Sequence, residues 1–141
     1  MNVISEYIHI ATEGNTDIID ITPDVVQKLV ATKLQEGTVN ISIAGSTASI
    51  TTCEYEPGVI ADLKAMYEKL IPRNKQYQHD NAWGDGNGHA HLRAALTGPS
   101  TTISFTAGKL CLGTWQQIIV LDFDNRPRQR KIQLQFIGQE Q

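Results

Sequence analysis

The chain has no apolar run near the ~20 residues that a membrane-crossing helix needs. That absence excludes an integral helical membrane protein. It also lacks a basic excess: the formal net charge is −3 and the pI is about 5.7. A nucleic-acid binder is usually basic, so that class is disfavoured. Cysteine is scarce, with only Cys53 and Cys111, far apart in the chain. Neither has a C-x-x-C partner, which excludes a zinc ribbon. Nothing marks the chain as secreted, so two reduced thiols are expected rather than a disulfide. Residues Met1–Ile10 show no basic region followed by an apolar run. No signal peptide and a cytoplasmic location are therefore expected.

What is present fits one globular unit. A chain of 141 residues, 40% hydrophobic and 19% charged, can bury a real core and is not a disordered tail. A single domain over residues 1–141 is expected. Val3–Ile10 and Asp17–Ile21, around the turn signal Glu13-Gly14-Asn15, read as a hairpin. Thr22-Pro23 reads as a helix start, with Thr22 as N-cap and Pro23 at N1. Val25, Val26, Leu29, Val30 and Leu34 then recur at helical spacing, and Gly37 is the expected stop. Thr38–Ile43 and Ala48–Cys53 are β-branched strands, or one bent strand, joined through Gly45-Ser46-Thr47.

A second helix carries Ile60, Leu63, Met66, Tyr67 and Leu70 inward and is closed by Pro72. Arg73–Gly88 has no period and reads as an irregular, functional loop. Asn87 starts a short helix that Gly98-Pro99 ends. Thr101–Phe105, Lys109–Cys111, Gln117–Phe123 and Arg130–Ile137 read as strands. In the last of these, Ile132, Leu134 and Phe136 alternate with Lys131, Gln133 and Gln135. The fold class is α+β: a mixed, largely antiparallel β-sheet system with about three helices.

The chemistry-bearing residues crowd into His79–Ser100, which holds three of the four histidines together with Asp80, Asp85, Asn87 and several glycines. Imidazole is a common metal ligand and titrates nearest neutral pH. An i, i+2 pair such as His89/His91 does not share a helix face. His91 is expected inward and His89 peripheral, because apolar residues follow His91. Three unrelated loop residues are the bland alternative. Glu54, Asp62, Asp80 and Asp85 are carboxylates that, beside a histidine cluster, can serve as general base or metal ligand; Glu54 stands out because it ends a β-rich run, where a side chain is held rigidly, and Asp62 reads equally as a solvated charge. Gly84–Gly88 runs into a helix whose N-terminus could attract an anion, though it is neither a P-loop nor a dinucleotide fingerprint. Trp115 could line a pocket for a flat ring or be ordinary core. Arg126, Arg128, Arg130 and Lys131 could face phosphate or form a solvated hairpin. A hydrolase built on either cysteine is disfavoured, since the charge of Glu54 raises the pKa of Cys53.

In this order, the segments Y-Q-H-D (77–80), G-D-G-N-G-H-A-H-L-R-A-A-L-T-G-P-S (84–100), G-K-L-C-L-G-T-W-Q-Q-I (108–118) and a late R-x-R resemble the YjbQ-like family, also called the secondary thiamine-phosphate synthase family. With S-T-A-S-I-T-T-C-E (46–54), the resemblance spans nearly the whole chain. It implies an α+β homotrimer with weak thiamine-phosphate synthase activity. That reaction joins hydroxymethylpyrimidine diphosphate to thiazole phosphate and releases pyrophosphate.

The resemblance implies Glu54, His79, His91 and Asp85 as catalytic residues. It implies Asn87, Trp115, Gln116 and Arg128 as contacts to a small phosphorylated metabolite. His79 and His91 are the implied ligands of a divalent metal ion, zinc or magnesium, with His89 as a stand-in third ligand. Two departures stand out: Cys53 replaces the asparagine before Glu54, and Gly45 replaces the histidine of an H-T-T-A run. A three-imidazole site would then lack one ligand unless His89 or His9 substitutes. The alternative reading is a non-catalytic small-molecule-binding or assembly protein. Neither reading involves nucleic acid or membrane.

Overall fold

The computed structural model describes residues 1–141. In chain order the elements are β1 (Asn2–Thr12), β2 (Asp17–Asp20), α1 (Thr22–Thr32), β3 (Glu36–Ile43), β4 (Ala48–Glu54), α2 (Pro57–Leu70), α3 (Gln78–Trp83), α4 (Gly88–Thr97), β5 (Ser100–Thr106), β6 (Lys109–Leu110), β7 (Gln116–Asp122) and β8 (Arg128–Gln139). Two sheets form, one ordered β1-β8-β3-β5-β6 and one ordered β2-β7-β4. Every strand pairing is antiparallel. The fold is α+β, with four helices.

The layers follow from alternation. Ile132, Leu134 and Phe136 of β8 are fully buried, while Lys131, Gln133 and Gln135 face outward. Val39, Ile41 and Ile43 of β3 join them, and across the gap they meet Ile50, Ile118 and Val120 of the smaller sheet. Helix α1 closes this core with Val25 and Leu29. β7 buries Ile118, Ile119, Val120 and Leu121 in succession. A run without alternation means that both faces are covered. Its second face meets Tyr67 of α2 and Ala90 and Ala94 of α4 around Phe123.

The structure corrects several local expectations. β1 and β2 are not a hairpin: β1 pairs with β8 and β2 with β7, in different sheets. Gly14, Asn15 and Thr16, all at positive φ, carry the chain between layers. β3 and β4 divide in the same way around residues 44–47. Thr22 does not cap its helix. Its Oγ1 accepts from the N–H of Ile118 at 2.7 Å, tying α1 to β7. α1 ends at Lys33 in the left-handed region, before Gly37, which lies inside β3. Val26 and Val30 on α1, and Met66 and Leu70 on α2, are exposed rather than inward. Only Tyr67 of α2 is fully buried, because one narrow stripe of that helix meets the sheet. The segment read as irregular contains α3.

Candidate functional site

The site grows from one carboxylate. Asp80, in the first turn of α3, accepts from the N–H of Tyr77 through Oδ2 at 3.2 Å and from the N–H of Gly88 through Oδ1 at 2.9 Å. These bonds cap both α3 and α4. The Gly88 N–H is the main reason the Asp80 carboxyl lies below its usual range. Gly88 must be glycine, since a Cβ there would sit 2.7 Å from the Cβ of Tyr77. Gly84, left-handed at φ 71, ends α3 and turns the chain towards α4.

The capped helices bring His79 and His91 together, with ring centroids 4.3 Å apart and planes inclined at 39°. The Nδ1 of His79 is buried with no hydrogen-bond partner. Asp80 Oδ1 lies 3.9 Å from it, beyond hydrogen-bond reach. Burial and then the neighbouring His79 push His91 below the ordinary imidazole value, against the pull of Asp124, Asp85 and Asp80. His91 is therefore neutral at pH 7 and able to accept a proton. It opens into a hollow of about 260 Å³, which Gly45, Ser46, Ala94 and Pro99 also line.

Behind this hollow lies a buried ionic cluster. Asp122 accepts from Thr12 Oγ1 at 2.6 Å and from Arg130 Nε and Nη2 at 2.7 and 3.0 Å. Asp124 accepts from Arg128 Nη1 at 2.6 Å, Thr47 Oγ1 at 3.2 Å and Asn87 Nδ2 at 3.2 Å. Burial pushes both carboxyls up, but these donors hold both below the ordinary value. The Oδ1 of Asn87 is buried without a partner.

Several expected site residues stand elsewhere or are engaged. Glu54 pairs with Gln116 at one end of the β4–β7 ladder, and Ala48 pairs with Asp122 at the other. Six residue steps along the strand separate those ends, roughly 20 Å. Glu54 lines a separate hollow with Tyr55 and Trp115. Trp115 is 72% exposed, so it is not core. Gln116 is spent on its own turn, accepting from the N–H of Gly113 and donating to Thr52 Oγ1. The sequence alone could not reveal this separation, because the motif order is silent about which end of a strand each motif occupies.

His89 and His91 exchange their expected places. His89 is the buried one, at 1% exposure, and burial followed by the charges of Arg93 and Arg73 pushes it below its usual value. His91 is half-buried at the hollow. His9 lies on the outer face of the larger sheet, opposite Lys131. Arg128 and Arg130 do not form a free phosphate-binding stripe, since Asp124 and Asp122 engage them. Arg126 remains exposed, beside a polar hollow of about 360 Å³ shared with Asp85, Asn87 and Asn125. The expected anion cradle at the start of α4 is already occupied by Asp80. Asp122, Asp124, Thr12 and Thr47 escaped the sequence reading. The D-x-D of 122–124 facing the R-x-R of 128–130 was the available signal.

The donor set does not make a metal centre within one subunit. No group of three or more His, Cys, Asp or Glu side chains gathers to hold an ion. Two imidazoles alone fall short of the three protein ligands of a catalytic zinc site. The residues present do not fit a resident centre of that kind. Cys53 is raised by burial, then by Asp20 and Glu54, which leaves it a poor nucleophile. No helix is long and apolar enough to cross a membrane.

A sequence profile for the family described as "UPF0047 protein YjbQ-like" matches residues 6–139. A UPF0047 protein of Archaeoglobus fulgidus is 40% identical over 121 residues, covering 86% of this chain and 91% of that protein. The UPF0047 protein MJ1081 of Methanocaldococcus jannaschii is 35% identical over 130 residues, covering 92% of this chain and 91% of that one. The crystal structure of a "YbjQ-like protein of unknown function" from Sulfolobus solfataricus aligns with a TM-score of 0.92 at 29% identity, covering 98% of this chain and 99% of that one. A yjbq/upf0047 family protein of Clostridium acetobutylicum aligns with a TM-score of 0.85 at 33% identity, covering 94% and 99%.

Proposed function

This chain belongs to the UPF0047 protein YjbQ-like family, and we propose that its paired His79 and His91 handle a proton on a small phosphorylated metabolite. The observation that carries this reading is the 4.3 Å approach of the two rings, with one buried ring nitrogen left unpartnered. An unpaired buried polar atom is costly unless a ligand or water meets it. The finer proposal is thiamine-phosphate synthesis, in which the bond from the pyrimidine methylene carbon to the diphosphate oxygen breaks and a bond to the thiazole nitrogen forms. Neutral His91 takes a proton from the pyrimidine amino group as the diphosphate leaves and returns it once the bond to the thiazole nitrogen has formed, while His79 Nδ1 orients the reacting group. The divalent cation, zinc or magnesium, that accompanies diphosphates in water belongs in this reading to the substrate. Glu54, Trp115 and Gln116 take no part within one subunit.

The test measures pyrophosphate release from the two substrates by wild type, His79→Ala and His91→Ala. The expected result is slow turnover that falls by about 10²–10⁴-fold in His91→Ala. Turnover indifferent to both substitutions overturns the proposal.

The second reading is a non-catalytic binding protein. Gly45, bordering the hollow where the resemblance places a third imidazole, is the observation that favours it. If Gly45→His gains metal and turnover while the parent has neither, this reading prevails.

We also infer a cytoplasmic homotrimer. The outer face of the larger sheet presents Ser5, Tyr7, Asn40, Gln133, Gln135 and Thr102, and Lys131 is the only charge on the outer side of β8. Counting His9, Glu36 and Lys109 as well, uncharged side chains dominate this face, which suits it to being covered by other copies of the chain. Light scattering coupled to size-exclusion chromatography reports the mass, and a monomer overturns the inference.

A further inference from the structure

Residues 44–47, between β3 and β4, carry four consecutive backbone N–H groups that donate to no protein acceptor. Gly45 sits at φ +110, a conformation that side-chain-bearing residues rarely adopt. A run of unpaired N–H groups beside a left-handed residue is a concavity suited to an oxyanion.

A second observation comes from beneath the loop. Arg130 is 5% exposed, with Nε and Nη2 committed to Asp122 and Thr47. Its Nη1 has no protein partner and is not sealed from solvent. A guanidinium has five N–H donors, and the two on Nη1 are unspent. They point at the gap left by the glycine: a Cβ on residue 45 would lie 3.1 Å from Nη1. Gly45 and Ser46 also line the hollow into which His91 opens.

We infer that Gly45 opens an oxyanion subsite for a phosphate group, held by Arg130 Nη1 and the free N–H groups of the 44–47 turn, of which Gly45 and Ser46 lie at the rim of the His91 hollow. The inference rests on the proposed function in one respect: the phosphate is that of the metabolite whose proton the histidines handle. Asp122, Asp124, Arg128 and Arg130 cancel in formal charge, and Asp124 Oδ2 lies 4.0 Å from Arg130 Nη2. The subsite therefore acts through directed hydrogen bonds rather than net positive potential. It selects a group with several acceptor oxygens over a lone negative charge.

The test is a titration of the ¹⁵N-labelled protein with inorganic phosphate at fixed pH and ionic strength, with acetate as the comparison anion. The amides of 44–47 and the Nε of Arg130 are expected to shift together and saturate with one dissociation constant, and acetate is expected to bind more weakly. Gly45→Ala, which places a methyl group against Nη1, should abolish that response and leave the remaining spectrum in place. Arg126→Gln, at the other polar hollow, should leave the response unchanged. Wild-type amides of 44–47 that do not respond, a response confined to Arg126 and the start of α4, or a wild-type response in Gly45→Ala each overturn the subsite. The wild-type map decides even where the variant does not fold. Absent phosphate binding with turnover still dependent on His91 removes the subsite alone. Phosphate binding as described, with turnover indifferent to both histidines, supports the subsite and removes the catalytic reading.

Discussion

The Oδ1 of Asp80 accepts from the N–H of Gly88 at 2.9 Å, and this bond joins the first turn of one helix to the beginning of the next. His79 precedes Asp80 and His91 lies three residues beyond Gly88, so the bond governs the approach of the two rings. Asp80→Ala should raise hydrogen exchange at the Gly88 amide and separate the rings. The carboxyl lies below its usual value, so the lock is complete at neutral pH and is lost as pH falls through the carboxylate range. Exchange at Gly88 that is the same in both proteins refutes the arrangement.

His91 should titrate below the usual imidazole value of about 6.5, because burial and His79 both disfavour its charged form. His79→Ala removes the neighbouring ring and opens the site to water, so the pKa of His91 should rise. Ring nitrogen shifts followed against pH measure this directly. A His91 titration unmoved by the substitution means that the rings do not sense each other.

His89 couples stability to acidity. Its pKa is lowered in the folded protein by burial, then by Arg93 and Arg73. The unfolded chain then binds the proton first, so stability falls as pH drops below the unfolded value of about 6.5. His91 contributes with the same sign. The urea midpoint should be lower at about pH 5 than at about pH 7.5, and His89→Gln should flatten the slope between them. An equal slope in the variant assigns the acid sensitivity to other groups.

Asp122 and Arg130 form a buried pair with side chains 0% and 4% exposed. Removing one partner leaves a charge stranded, which costs about 3–5 kcal/mol. Asp122→Ala should lower unfolding stability by that amount, and adding Arg130→Met should restore part of it. Urea denaturation of the single and double variants reads both effects. A loss under about 1 kcal/mol would place water against the pair.

What could be read from the chain was local. The spacing of Val25 and Leu29, the alternation along β8 and the Gly98-Pro99 stop each set a face or an end without distant partners. The nearness of His79 and His91 was legible because both lie in one dense segment. The choice of partner strand was not. β1 and β2 are contiguous in sequence yet enter different sheets, because period-2 alternation specifies a face and says nothing of the neighbour. Glu54 was grouped with the histidines by motif order, and the antiparallel β4–β7 ladder puts it at the far end. Arg128 and Arg130 looked free because the carboxylates opposing them sit across a turn.

The Asp122–Arg130 pair also draws hydroxyls from Thr12 at the end of β1 and Thr47 before β4. Thr12 and Arg130 belong to one layer of the sandwich and Asp122 to the other. Breathing between the layers at this end would strip a carboxylate of its donors in a dry interior. The two halves are thus clasped beside the histidines, and any slow opening of the molecule must begin at the opposite rim.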